Sequence, residues 1–196
     1  MHAMNPAAHD RHSASEPEAI LLLRAADGDA RAFRELARMV ARPSLALAIR
    51  VLGDHAGAED AVQDALSKLW REAHRFDPER GSFGGWWRRI LMNSALDGRR
   101  RMRPATSLEE VTEVRNPAPD PGEAAEQADL VARVRAAAAA LPARQRAALS
   151  LFHGDGLTMA EIAAALETSE KAVEGLLLRG RAALKQTLIG LRDELT

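Results

Sequence analysis

Cysteine is absent from the 196 residues, so the chain has no disulfide framework, no thiolate zinc site and no catalytic thiol. No apolar run approaches the ~20 residues that span a bilayer. The first residues, with Asp10, Arg11 and three histidines, contain no signal-peptide core. A cytoplasmic protein without membrane insertion is expected. Aromatic residues make up only 4% of the chain against 46% hydrophobic residues overall, and alanine and leucine carry most of that apolar content. This balance favours helices over strands, so an all-α fold is expected. Enzyme signatures are missing too: there is no G-x-x-x-x-G-K-[ST], no H-E-x-x-H and no G-x-S-x-G, and the Gly81, Gly84, Gly85 cluster has no preceding strand pattern. The reading is of a chain with no catalytic residues and no cofactor. His2, His9 and His12 fall in a polar, aperiodic stretch without a scaffold, so 1–15 reads as a mobile tail and not as a metal site.

Net charge is also nearly absent, at -1, but the charges are segregated. From Gly81 to Arg103 the sequence GSFGGWWRRILMNSALDGRRRMR holds six arginines and one acid, Asp97. Wound as a helix at about 100° per residue, Trp86 to Arg101 places Trp86, Trp87, Ile90, Leu91 and Ser94 on one side. Arg88, Arg89, Met92, Asn93, Arg99 and Arg100 fall on the other. A basic surface helix could be no more than a solvated face, which normally mixes signs. Here it comes with an asparagine able to bond a base edge, two tryptophans and an aromatic-flanked loop from Phe76 to Phe83. Those are the ingredients for gripping nucleic acid, single strands included.

Read in order, Glu18 to Ala26 is helical, and the Asp27-Gly28-Asp29 turn starts a second helix carrying Phe33, Leu36, Ala37 and Val40, which Pro43 is expected to interrupt. Periodicity resumes through Leu45, Leu47, Ile49 and Leu52 and stops at Gly53, with Asp54 placed to cap the next helix. In that helix Val62, Ala65, Leu66, Leu69, Trp70 and Ala73 form the core stripe, and Asp60, Asp64, Ser67 and Arg71 line the opposite one. Pro104 to about Glu123 is proline-rich, acidic and aperiodic, which marks a linker between two small helical domains.

Helicity returns from about Ala124 through Leu130, Val131 and Val134 to Leu141, and Pro142 suits the first position of a new helix running through Leu149 and Phe152. Thr158 and Glu161 form a capping box ahead of Ile162, Ala163 and Leu166. A tight break at Glu167-Thr168-Ser169 precedes a helix in which Val173, Leu177, Gly180 and Leu184 share one face. Two helices around such a turn suggest a helix-turn-helix. The stripe continues through Leu188, Leu191 and Leu195 and is expected to pack on the helix of Leu130 to Val134.

Gly53-Asp54, AEDAVQDALSKLW (Ala58 to Trp70), RFDPERGSF (Arg75 to Phe83), the W-x-x-R-I-x-x-N-x-A-x-D-x-x-R-R run (Trp86 to Arg101) and the LPARQRAAL and LTMAEIAAAL segments occur in one order. Together they resemble a bacterial RNA polymerase sigma factor of the group 4, extracytoplasmic-function (ECF) class. The resemblance implies a sigma-2 helical bundle over 16–103 and a sigma-4 helix-turn-helix domain over 124–196, joined by the acidic linker 104–123. It further implies docking of Asp60, Gln63, Asp64, Ser67 and Arg71 on the clamp helices of the polymerase largest subunit, with the beta flap as the second docking point. At the minus-10 element it implies Phe76 and Asn93 at a flipped base and Arg88, Arg89, Arg99, Arg100 and Arg101 on the backbone. At the minus-35 element it implies Ser169, Lys171, Glu174, Gly175, Leu178, Arg179, Arg181 and Lys185. An anti-sigma factor is a further expected partner, and the chain free of partners is expected to be a monomer. One departure stands out. The family's usual Val-Lys-Ser-Arg-Leu-x-Arg-Ala-Arg reads here Val173, Glu174, Gly175, Leu176, Leu177, Leu178, Arg179, Gly180, Arg181, so two of four basic positions are lost.

The leading function is therefore a transcription initiation factor that lends promoter specificity and melting to polymerase. The alternative is a sigma-like decoy that occupies an anti-sigma factor without binding DNA. A decoy would have no use for the basic face from Arg88 to Arg101. A helix-turn-helix repressor working without polymerase would not need the Asp60 to Arg71 stripe.

Overall fold

A computed structural model describes residues 17–101, 134 and 136–193. The expected tail 1–15, the linker 104–123 and the stretch from Ala124 to Val131 lie outside the described residues, as do Leu195 and the side chains of Arg99, Arg100, Arg101, Leu188 and Leu191. All regular elements among the described residues are helical.

Helix α1 (Pro17–Ala26) turns at Gly28, where φ is +91°, and Asp29 caps α2 by accepting from the Arg31 and Ala32 N–H groups. Helix α2 runs without a break from Ala30 to Leu52, so the interruption expected at Pro43 does not occur. A proline inside a helix costs about 3 kcal/mol because it removes one ladder bond and crowds the preceding turn. Packing overrides that cost here. Leu36, Val40, Ser44, Leu47, Ala48 and Val51 form one buried stripe across the proline, and Ser44 Oγ, just beyond it, accepts a buried bond of 2.9 Å from Trp87 Nε1.

Gly53 ends α2 in the left-handed region at φ +74°, with its N–H on Ile49 O at 2.7 Å. Asp54 caps α3 (His55–Glu72), whose buried face is Ala58, Ala61, Val62, Ala65 and Leu69. Trp70, expected in that face, sits at its edge: it is 40% exposed and packs its ring on Phe33 at 4.8 Å. A single turn after α3 leads through Phe76 to α4 (Phe83–Arg101), which starts three residues before the expected Trp86. Met92, expected on the outward side of this helix, is fully buried. The reason is that α4 packs on α2 and α3 and also against the second half of the chain, which widens its buried arc.

In that second half Pro142 takes the N-cap position, not the first helical one, ahead of α5 (Ala143–Leu149). The chain continues as a widened turn over Ser150–Gly154, and the Thr158/Glu161 capping box then opens α6 (Met159–Ala165). Ser169 Oγ accepts from Ala172 N at 3.2 Å at the start of α7 (Glu170–Asp193). Val173 and Leu177 are buried in α7, and Gly180 lets it lie against α5, since a Cβ there would stand 2.9 Å from Leu149 Cδ1. In the turn between α6 and α7, Glu167 is the one described non-glycine residue with positive φ, at +47°. Left-handed backbone costs an L-residue about 1–2 kcal/mol, so this position would suit glycine better.

The buried residues of α1 to α4 and of α5 to α7 belong to one continuous apolar cluster. The two halves are packed together.

Candidate polymerase and DNA interfaces

The polar stripe of α3 is available. Asp60, Gln63, Ser67 and Arg71 are exposed, and Asp64 is half-buried beside Lys68, 2.8 Å away. Lys68 also donates to the buried Ser94 Oγ of α4 at 3.0 Å, tying this stripe to the neighbouring helix.

The face of α4 is more crowded. Phe76 is buried to 7% exposure among Phe83 and Trp86, with ring centroids 6.3 and 5.5 Å away, so its ring offers no free face for a base in this conformation. Trp87 and Leu91 hold the helix in the core, which leaves Arg88, Arg89 and Asn93 toward the second half. Each of these meets a carboxylate there. Arg89 Nε lies 2.7 Å from Glu167 Oε1, and Arg88 Nε lies 4.0 Å from Asp155 Oδ2, whose other oxygen takes Arg50 Nη2 at 2.8 Å. The Arg89 hydrogen bond is the main cause holding the Glu167 carboxyl below its usual range; burial opposes it, and the Asn93 amide adds a further hydrogen bond. The sign follows directly: this contact is complete above the ordinary glutamate range and is lost as pH falls through the lowered pKa.

Between the halves lies Arg146, a residue whose role no local pattern announces. It is 3% exposed, and its Nε and Nη2 donate to Val51 O at 2.8 Å and Leu52 O at 3.0 Å, while Nη1 donates to Ala139 O. A buried cation is costly unless its donors are satisfied, and the carbonyls closing α2 both satisfy it and present the negative end of a helix dipole. Gly53 makes room, because a Cβ there would lie 3.4 Å from Nη1.

Helix α7 is built differently. Lys171, Glu174, Leu178, Arg179 and Lys185 are all exposed, Leu178 to 70%. Ser169 spends its hydroxyl on the cap, and the Arg179 guanidinium lies over Gly175, with Nη1 3.2 Å from where a Cβ would stand. Arg181 folds back onto its own domain, 5.1 Å from the Phe152 centroid, and its Nε is 3.4 Å from His153 Nε2. Burial first, and the Arg181 charge second, lower the His153 pKa, which favours the neutral imidazole as acceptor for the Arg181 Nε–H. Among the described residues no cluster could hold a metal ion, and no helix is long and apolar enough to cross a membrane.

Comparison with known proteins gives two family matches, Sigma-70 region 2 over 33–104 and Sigma-70, region 4 over 132–184. The RNA polymerase sigma factor CnrH of Cupriavidus metallidurans is 34% identical over 94% of this chain and 97% of its own length. The ECF RNA polymerase sigma factor SigM of Mycobacterium tuberculosis is 32% identical over 91% of this chain and 87% of its own. The chain belongs to the ECF family of RNA polymerase sigma factors. Against the ECF sigma factor SigE of Mycolicibacterium smegmatis, 33% identical, it spans only 60% of the relative's length. Among solved structures, CnrH in complex with the cytosolic domain of CnrY matches with a TM-score of 0.62 at 31% identity, covering 89% of this chain and 99% of that one. The sigma factor RpoE in complex with the anti-sigma factor NepR from Bartonella quintana matches with a TM-score of 0.63 at 23% identity, over 80% of this chain and 96% of that one, which speaks for the shared fold. The all-helical architecture of this sigma factor thus agrees with its relatives. Glu167 stood in the sequence only in the break between two helices, and the α4 partners of Asp155 and Glu167 lie 67 and 78 positions away, beyond any helical period.

Proposed function

We propose that this sigma factor binds core RNA polymerase, directs it to promoters carrying minus-35 and minus-10 elements and helps open the DNA, with no catalysis of its own. Polymerase docks on the α3 stripe of Asp60, Gln63, Asp64, Ser67 and Arg71 through the clamp helices, and on the second domain through the beta flap. The observation that carries this reading is the pairing of an exposed polar stripe on α3 with an exposed outward row on α7, in a chain of ECF sigma membership. Arg88, Arg89, Asn93, Arg99, Arg100 and Arg101 take the minus-10 strand. The burial of Phe76 supports a supporting role beneath that site, as the floor of the Phe83 and Trp86 cluster. Lys171, Glu174, Leu178, Arg179 and Lys185 take the minus-35 groove. The domain boundaries at 16–103 and 124–196 follow the same division.

An anti-sigma factor is the proposed partner when polymerase is absent, as for RpoE with NepR, and the cytoplasm is the proposed site of action. Reconstituted run-off transcription with core polymerase, mapped genome-wide, tests the reading and supplies promoter sequences together. Sigma-dependent transcripts with shared upstream elements are expected; none under any condition, with polymerase binding intact, would leave the decoy reading in its place.

A further inference from the structure

Arg144 stands in the first turn of α5, where no local rule favours it. The positive end of a helix dipole lies there, and cations belong at the other end. Its guanidinium serves a different helix. Arg144 Nη2 donates to Leu166 O at 2.6 Å, in a part-buried bond made by an otherwise exposed side chain. Leu166 is the C-cap of α6, and the last carbonyls of a helix have no partner within it. A cation placed there meets the negative end of the α6 dipole, and a charge-assisted bond is stronger than a neutral one.

The turn that begins at Leu166 is the one from which α7 leaves. Two backbone bonds close it, from Glu167 N to Ala164 O at 3.4 Å and from Thr168 N to Ala163 O at 2.9 Å. Glu167 breaks a second local rule by taking left-handed backbone, where glycine is favoured. Its carboxyl, held below the usual range chiefly by the Arg89 hydrogen bond, also feels the Arg144 charge. Two residues that defy local preference thus meet at one turn, and such departures gather where structure serves a function.

Helix α5 fixes α7 at a second point. A Cβ at Gly180 would stand 2.9 Å from Leu149 Cδ1 and 3.6 Å from Gln145 Cβ, so the two helices touch there. Neighbouring residues of α5, Arg144 and Gln145, therefore hold the end of α6 and the middle of α7. The outward row of Lys171, Glu174 and Leu178 lies between those two points. Val173 and Leu177 bury the inner side of this stretch, but apolar contact is non-directional, whereas the bond at the turn has a direction. Base contacts need side chains held within about 0.5 Å. A turn that shifts would swing the row about Gly180 by more than that.

We infer that Arg144 is a positioning residue for minus-35 recognition: through Leu166 O it sets the angle at which α7 presents Lys171, Glu174 and Leu178, and it touches no base itself. The inference rests on the reading of α7 as the minus-35 helix.

Arg144→Met keeps the stem and removes the donor, and Arg144→Lys keeps a cation able to reach the same carbonyl. Each full-length variant is titrated against a duplex carrying a minus-35 element mapped by run-off transcription, and against its scrambled counterpart, at several salt concentrations and well below the thermal midpoint. Arg144→Met should lower the cognate-to-scrambled affinity ratio by about tenfold, roughly the loss of one base contact, with salt slope and helicity unchanged. Arg144→Lys should restore most of the ratio; no recovery would overturn the bond to Leu166 O as the cause. An unchanged ratio in Arg144→Met with only the thermal midpoint lowered would overturn the inference in favour of a purely structural cap. A salt slope lower by about 0.9 with the ratio unchanged would overturn it in favour of a phosphate contact. A wild-type chain indifferent between the duplexes would overturn the α7 reading and the inference with it, and is told apart because in every other outcome the wild type discriminates.

Discussion

Helices α4 and α7 are both assigned to DNA, yet they present themselves in opposite ways. The arginines of α4 that face the second domain meet Asp155 and Glu167, while Lys171, Glu174, Leu178 and Lys185 of α7 project into solvent. The difference comes from packing. Helix α4 is buried along a wide arc that includes Trp87, Leu91 and Met92, so its remaining polar face lies at the seam between domains. Helix α7 buries the narrower Val173 and Leu177 stripe and keeps the rest of its first turns free. In this conformation the α7 face proposed for the minus-35 element is accessible, and the α4 face proposed for the minus-10 element is covered in part by Asp155 and Glu167.

The comparison is broken most severely by removing what joins the halves. Arg146→Met removes the guanidinium bonds to Val51 O, Leu52 O and Ala139 O, of which the Val51 bond is buried and the other two part-buried. At about 1–3 kcal/mol for an unsatisfied buried group, a loss of up to about 3 kcal/mol is expected, with urea unfolding split into two transitions. On α7, Lys171→Met should shift stability by no more than about 0.5 kcal/mol. A single unshifted transition in Arg146→Met would show that the halves do not depend on this side chain.

Next in size is the polymerase face. Asp60→Arg with Asp64→Arg reverses two charges opposite the buried face of α3 and sets a cation beside Lys68. Like-charge juxtaposition at an interface costs several kcal/mol, so core polymerase affinity should fall at least about 100-fold with helicity by circular dichroism unchanged. Wild-type affinity would remove the docking assignment.

Asn93→Ala sharpens the contrast within α4. Its proposed partner is a base edge worth about 1–3 kcal/mol of discrimination, so opening of the minus-10 element should drop about tenfold with polymerase binding preserved. Permanganate reactivity of the melted thymines reads the step directly, and unchanged reactivity would assign Asn93 to the interdomain contact alone.

How far the sequence spoke follows the same division. The α7 face was legible because a single helix packed on one side obeys one period, and the outward set of Lys171, Glu174, Leu178 and Lys185 is exposed as that period requires. Caps were legible for the same local reason: Asp54 and the Thr158/Glu161 box act within three residues of themselves. Pro43 misled because a local rule met a buried stripe spanning both sides of it. Met92 misled because a helix packed on two sides has no single apolar face. Arg146 and Glu167 were invisible as interdomain groups, since their partners are fixed by how two domains meet and by nothing within a helical turn.

The smallest expected effect is on α7, where the sequence departs from its own family. Glu174 stands where the usual pattern puts a lysine and Leu176, half-buried, where it puts an arginine, while Leu178, at the pattern's open position, projects beside Lys171 and Glu174. Glutamate can accept from the cytosine amino group, and leucine can rest on a thymine methyl. Both are base-directed, whereas each lost phosphate contact lowers the log-log salt slope by about 0.9. Arg181, turned back onto Phe152 and His153, removes one more backbone cation from the exposed row. The helix is therefore expected to read its minus-35 element more through bases and less through the backbone. Glu174→Lys in the full chain should raise affinity for unrelated duplex, steepen the salt slope by about one contact and relax discrimination at one minus-35 position by about 1 kcal/mol, with minus-10 opening untouched. A titration against cognate and scrambled duplexes at several salt concentrations separates these terms. A steeper slope with an unchanged specificity ratio would mean that position 174 lies over the phosphates and reads no base; an unchanged slope and ratio would mean that it faces solvent even in the complex.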